Sequence, residues 1–243
     1  MRFILSICGL IAVTILGYAG TFPDYGYQPP AGWTGSKFLL SQAYPPMLPA
    51  AETLPWAAID FKTNPADYLA AVLSYCYEGN LEKDFVVQQN TVRPWYHAPW
   101  LHWGQNGREF VRGLTRERVS RPFELAATQN QSARNFAVGF YNARGAFSIG
   151  QVWQNPTQPS IDNVSFPEGT VTFKLLFTTA TDTAVPFLAG LPEWFADLDR
   201  SQDVNAIKNN KVRLLQIDVA VKDSRSSKGG MDFRHLPVRQ RCH

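Results

Sequence analysis

A chain of 243 residues with 45% hydrophobic and 18% charged residues is long and apolar enough to bury a sizeable core, which excludes a disordered tail or linker. Its 23 Lys and Arg against 20 Asp and Glu leave a net charge of only +3, too weak a surplus to imply a nucleic-acid partner. Seventeen Gly, 17 Pro and 13% aromatics favour a turn-rich α+β chain, mainly antiparallel β-sheet with a few short helices packed on it.

Arg2, the apolar run at residues 3–16, and Gly17, Tyr18 and Ala19 have the charged start, short greasy middle and small-residue exit of a secretory signal peptide. Cleavage is expected after Ala19, giving a secreted, extracellular or periplasmic product with no stable membrane span, because the run is short for a hydrocarbon core about 30 Å thick. Loss of Cys8 with the signal leaves Cys76 and Cys242, enough for one bridge and too few for a disulfide framework. Asn130-Gln131-Ser132 and Asn163-Val164-Ser165 match the glycosylation acceptor triplet.

Residues 20–59 are rich in Pro, Gly, Tyr and Ala without a sustained period and read as an extended lead-in hugging the surface. A β-rich domain follows over residues 60–225, and residues 226–243 form an atypical, hydrophilic tail. Asn64 and Pro65 predict a helix N-cap and first turn, with Tyr68, Leu69, Val72, Leu73, Tyr75 and Cys76 as an apolar stripe ending near Gly79. Residues 85–89 read as a short strand. Residues 136–141, 146–153, 170–177 and 212–221 are rich in β-branched and aromatic residues and read as strands of an antiparallel sheet. Asn142, Ala143, Arg144 and Gly145 then form a hairpin loop, residues 166–169 another turn, and residues 192–198 a short helix with Trp194, Phe195 and Leu198 inward.

The densest constellation is Trp95, Tyr96, His97, Ala98, Pro99, Trp100, Leu101, His102, Trp103 and Gly104. Aromatic faces and imidazoles gathered in this way suit a pocket for a flat ligand or a sugar, whereas the alternative is a packed aromatic corner. The candidate ligand-binding residues are therefore Trp95, His97, Trp100, His102 and Trp103. His97 and His102 stand five apart with no neighbouring carboxylate or thiol, so no metal is expected there. Arg108, Arg112, Arg116, Arg118 and Arg121 alternate with Glu109, Glu117 and Glu124. Arg108 and Arg112 are candidate anchors for an anion such as a phosphate or a haem propionate, with internal ion pairs as the competing use. No nucleophile elbow, phosphate-binding glycine loop, His-Glu-x-x-His or paired Cys-x-x-Cys is present, so no catalytic residue is assigned.

The segments NPADYLAAVLSYCYEGN, RPWYHAPWLHWGQNGREFVRGLTRE, FAVGFYNARGAFSIGQVW, FPEGTVTFKLLFT and VRLLQIDVAVKDSR resemble a largely uncharacterised family of secreted or periplasmic proteins grouped with c-type cytochromes. The Phe-Pro-Glu-Gly-Thr-Val turn and the Val-Lys-Asp strand end are more distantly similar to the β-sheet cytochromes that include the lysine-cross-linked hydroxylamine-oxidising haem proteins. The resemblance implies haem c and redox or electron-transfer chemistry, with a redox partner, in complete members. It also implies a C-terminal Cys-x-x-Cys-His that this chain lacks, so no cofactor is expected here. After Lys222, Asp223, Ser224 and Arg225 the family pattern continues as Thr-Gly-Trp-Val-Phe-Gly-Thr-Phe and then Tyr-Asp. With synonymous codons chosen freely, residues 231–242 back-translate to bases that read Trp-Ile-Phe-Gly-Thr-Phe-Leu-Tyr-Asp-Ser-Ala in a second frame. A truncated or frame-shifted C-terminus is the expectation, leaving the strand at residues 212–221 with an open edge. The competing expectation is a secreted, non-redox module that binds a carbohydrate or other small-molecule ligand.

Overall fold

A computed structural model describes residues 26–99, 107–201 and 203–226, and the backbone of a final strand at Met231–Pro237. The signal-peptide segment lies outside the described residues. The fold is α+β, built on a seven-stranded antiparallel sheet. Its elements are α1 (Pro65–Tyr77), β1 (Trp95–His97), β2 (Thr115–Arg116), β3 (Asn135–Asn142), α2 (Ala143–Val152), β4 (Val171–Thr178), β5 (Glu193–Phe195), α3 (Val204–Asn209), β6 (Lys211–Lys222) and β7 (Met231–Pro237). The strand order is β1-β3-β4-β6-β5, with β2 also on β3 and β7 also on β6.

The long central strands follow from alternation. Phe136, Val138 and Phe140 of β3 and Val171, Phe173, Leu175 and Phe177 of β4 turn into one core, while Lys174 on the other face meets Asp218 of β6 at 3.1 Å. On β6 the parity changes: Val212 and Leu214 face this core, and so do Ile217, Val219 and Val221. A register shift opposite Leu176 and Phe177 makes this possible, because the extra residue, Leu215, turns into a separate cluster with Ala133, Ala180, Val185 and Leu188. Helix α1 covers the core face with Tyr68, Val72, Tyr75 and Cys76, as its apolar stripe predicts. Pro65 opens the helix, but Asn64 makes no side-chain capping bond.

Five expectations are corrected. Of residues 146–153, all but the C-cap Trp153 belong to helix α2, because the Asn142 side chain accepts the Gly145 N–H at 3.0 Å as a helix cap and Ala146 and Ile149 bury one turn apart. Asn142 is thus a cap and not part of a hairpin loop; its side chain also accepts the Val171 N–H and donates to the Gly169 carbonyl. Residues 85–89 form no strand: Asp84 and Phe85 both take positive φ, and a 3-10 turn follows at Val87–Gln89. Residues 193–195 are extended as β5, which lets Trp194 stack on Phe177 at 4.2 Å while its backbone pairs with residues 211–213. The tail supplies β7, antiparallel to residues 216–222, so this edge of β6 is paired. Strand pairing uses backbone groups that every non-proline residue carries, whatever its side-chain pattern.

The lead-in at residues 26–59 forms no strand or helix and is tied down at several points. Trp56 is buried in the main core, and Tyr27, Phe38 and His97 donate backbone N–H groups to Arg108, Phe110 and Ser41 carbonyls. A clip at the end of β6 fastens the same segment. Asp223, which is buried, accepts from the Tyr68 hydroxyl at 2.9 Å and from the Arg225 guanidinium at 2.6 Å, and Arg225 donates to the Ala57 and Ile59 carbonyls. The Arg225 hydrogen bond holds the Asp223 carboxyl below its ordinary value of 3.8. Its contribution is therefore present above that value and lost as the pH falls through the lowered one. Asp223→Asn is expected to lower stability by about 1–3 kcal/mol at pH 7. In urea titrations at a series of pH values, the gap between parent and variant should close in acid. A gap that persists unchanged at pH 3 would contradict the assignment.

Candidate functional site

The sequence candidates separate into two environments. Trp95 is core: its ring meets Tyr75 at 5.8 Å and Phe173 at 4.9 Å, both edge to face, and it is 1% exposed. His97, two residues on along β1, is equally buried but stands at the wall of a cavity of about 260 Å³. Arg112 lines the same cavity, so two candidates some fifteen positions apart in sequence are brought together. Arg108 is buried with its guanidinium 5.4 Å from the Phe38 ring centre. Trp100, His102 and Trp103 lie outside the described residues.

The cavity is framed by four pieces of chain: residues 36–39 of the lead-in, the turn at residues 84–88, Val111 and Arg112, and the sheet face at His97, Val138, Phe140 and Trp194. The frame is aromatic. Phe38 meets the His97 ring edge-on at 4.6 Å, and Phe85 lies 6.5 Å from Phe140 and 6.4 Å from Trp194. Phe85 reaches this position because the chain turns through two successive residues of positive φ, 49° at Asp84 and 57° at Phe85. Such backbone is unfavourable for residues with a Cβ and persists only where surrounding contacts hold it.

His97 is fixed in orientation. Its Nδ1 accepts the Ser41 N–H at 2.9 Å, its own N–H donates to the Ser41 carbonyl, and its carbonyl accepts from the Tyr44 hydroxyl at 2.7 Å. An imidazole that accepts at Nδ1 carries its proton on Nε2 when neutral, so it presents a donor there and not a metal-binding lone pair.

Arg112 is the charged element of the wall. Its guanidinium lies 4.7 Å over the Trp194 ring, and Nη1 pairs with Asp84 Oδ2, whose other oxygen accepts the Trp194 indole N–H at 2.7 Å. The Arg112 Nε is buried and makes no hydrogen bond among the described residues. Lys37 stands exposed at the mouth. Asp84 is the one acidic residue among the described residues of the lining and is already engaged by Arg112 and Trp194.

Arg112 is positioned by the loop that carries it. Glu109 is buried, and its carboxylate accepts four backbone N–H groups: Val111 at 2.7 Å, Arg112 at 2.6 Å, Leu114 at 3.0 Å and Asp197 at 3.2 Å. Burial pushes the Glu109 carboxyl up from its ordinary value, and these backbone donors offset only part of that rise. Gly113 completes the loop at φ 75°, where a Cβ would sit 2.3 Å from the Phe38 ring. Elsewhere in the arginine-rich stretch, Arg118 pairs with Glu124.

Sequence reading missed Phe38, Asp84, Phe85 and Trp194. Trp194 was visible as an inward aromatic, but nothing local to the lead-in or the 84–88 turn connects either to residue 97.

Covalent haem does not fit these residues. It requires two thiols in Cys-x-x-Cys-His, and the sequence holds three cysteines, far apart. Cys76 is a free thiol on the buried face of α1, its pKa pushed well up by burial. Among the described residues no group of three or more His, Cys, Asp or Glu is placed to hold a metal ion, and no helix is long and apolar enough to cross a membrane. The chain matches no family model, no curated protein and no solved structure.

Proposed function

We propose that the protein is an exported, non-redox binding module whose ligand is a small, flat, carboxylate-bearing molecule held in the cavity beside His97 and Arg112. The observation that carries this reading is the buried Arg112 Nε, which has no acceptor among the described residues, set among aromatic side chains in a wall whose one described carboxylate is already engaged. A ligand carboxylate would accept from Arg112, with Lys37 at the mouth adding charge, while the ligand ring packs against Phe38, Phe85 and Trp194. A volume of about 260 Å³ lies just below the range of roughly 300–1,000 Å³ that takes drug-sized molecules, which favours a compact ligand of one ring. On this reading the cytochrome-like segments mark a shared scaffold, and redox chemistry belongs to relatives that carry the haem-attachment motif.

Trp194 gives the site an optical reporter. Titration with benzoate is expected to quench tryptophan fluorescence saturably. Arg112→Ala should weaken binding about tenfold, the loss of one charge-assisted hydrogen bond. Arg118→Ala, whose pairing is with Glu124 and which lies outside the cavity lining, should bind as the parent does. Absence of saturable quenching by benzoate and by comparable aromatic and heteroaromatic carboxylates would sink the proposal.

A further inference from the structure

One sequence motif takes no part in the site above. Asn130, Gln131 and Ser132 match the acceptor triplet for N-linked glycosylation, and all three are exposed. They lie on a loop whose neck is closed by a bridge between Ser120 and Ala133, where each residue donates its N–H to the other's carbonyl at 2.9 Å. Buried Gln129 ties the loop from within: its side chain accepts the Leu125 N–H at 2.9 Å and donates to the Gln131 carbonyl at 2.8 Å. The loop is therefore fixed, while Asn130 itself is left at the surface.

Across this loop stands Phe123. Its N–H donates to the Gln129 carbonyl at 2.6 Å, which sets it beside the residue preceding the acceptor. Phe123 is the third residue of a turn from Arg121 to Glu124, closed by the Glu124 N–H on the Arg121 carbonyl at 3.2 Å. Pro122 suits the second position, but Phe123 takes φ 63°, a conformation that favours glycine or asparagine. A bulky residue in left-handed backbone is a steric outlier, and burial does not offset the cost, since Phe123 is 64% exposed. Neither backbone preference nor core packing accounts for an aromatic ring at this position.

We infer that Asn130 carries an N-linked glycan whose first N-acetylglucosamine packs on the Phe123 ring. In the transfer, the Asn130 Nδ2 displaces the pyrophosphate of a lipid-linked oligosaccharide from the anomeric carbon. The N–C bond forms, the anomeric C–O bond breaks with its electron pair on the lipid pyrophosphate, and one amide proton passes to a base of the transferase. The apolar face of the sugar then covers a ring that the bare chain leaves in water. The inference rests on the export that the proposed function also assumes, because the transferase acts on exported chains, and it is independent of the aromatic cavity.

Asn163→Gly serves as the background for the test. It removes the other acceptor triplet at a residue of φ 59°, where glycine is at ease, and leaves Asn130 as the one acceptor in the sequence. Translated beside microsomes that carry the transferase, the full chain should become protected from added protease and gain one glycan. Ser132→Ala, which removes the acceptor hydroxyl, should be protected without gaining one. A protected background chain bearing no glycan would overturn this inference and leave export standing, whereas an unprotected chain would overturn both. On protein from a glycosylating secretory host, trimming to a single N-acetylglucosamine should leave the melting temperature about 2–4 °C above that of the enzymatically deglycosylated chain, the shift one aromatic packing contact gives at this size. Phe123→Gly relieves the strained backbone, so its deglycosylated form should melt close to the parent, yet it should gain nothing from the sugar. An equal gain in Phe123→Gly, or no gain in its parent, would overturn the packing on Phe123.

Discussion

Replacing Glu109 with alanine is expected to lower the unfolding free energy by about 3–5 kcal/mol, among the largest losses available to a single substitution in this fold. The reason lies in what the substitution abandons. Val111, Arg112, Leu114 and Asp197 each direct a backbone N–H at this one carboxylate, and Glu109 is 4% exposed, so water has little access to replace it. An unsatisfied buried donor carries a penalty of about 1–3 kcal/mol, and local rearrangement of the loop would recover part of the sum over four. The loop also places Arg112 at the wall of the aromatic cavity, so the variant should lose benzoate binding as well. Urea denaturation should show a lower midpoint with an unchanged slope. A loss below about 1 kcal/mol, or a variant that keeps its benzoate affinity, would show that the loop is held by something else. Glu109→Gln should fall between parent and alanine, because its amide keeps an acceptor oxygen but turns an NH2 toward donors.

Phe173→Ala should be equally damaging, by about 3–5 kcal/mol, through a different mechanism. The Phe173 ring stacks on Phe140 at 4.7 Å, takes the edge of Trp95 at 4.9 Å and lies 6.0 Å from Phe85. It is therefore the joint between the sheet core and the aromatic wall of the ligand cavity. Truncation leaves a hole beneath Phe85, whose positive-φ backbone depends on surrounding contacts. The near-ultraviolet circular dichroism of Trp95 should weaken and benzoate affinity should fall even where the protein still folds. Phe173→Leu, which refills much of the volume, should restore most of the stability. A variant with an alanine at this position and parental stability would mean that the ring is not packed as described.

The parts of the fold that could be read in advance are those whose apolar pattern is long. Helix α1 announces itself through Tyr68, Val72, Tyr75 and Cys76, and β3, β4 and β6 through runs of alternating apolar residues. The α2 segment misleads because Phe147, Ile149, Val152 and Trp153 favour strands, while the deciding features are a cap at Asn142 and the spacing of Ala146 and Ile149. At β5 the tertiary demand to stack Trp194 on Phe177 overrides a pattern that fits a helix equally well. The bulge in β6 was written in the sequence as the adjacent pair Leu214 and Leu215, where the alternation changes parity.

The candidate site divides in the same way. His97 and Arg112 stand in a stretch dense with aromatic and basic residues and could be singled out directly. Phe38, Phe85 and Trp194 arrive from a lead-in without period, a strained turn and a short edge strand, and only the closed fold places them together. Trp95 shows the opposite error: its two-residue offset from His97 puts both on one face of β1, yet Trp95 packs into the core with Tyr75 and Phe173.

The most direct test of the account is the amide spectrum of the isotopically labelled protein, recorded while benzoate is added. Saturable shifts are expected on Phe38, Phe85, His97, Arg112 and Trp194, with resonances on the outer sheet face, such as Lys174 and Asp218, unmoved. Shifts confined to that outer face, or none that saturate, would contradict it.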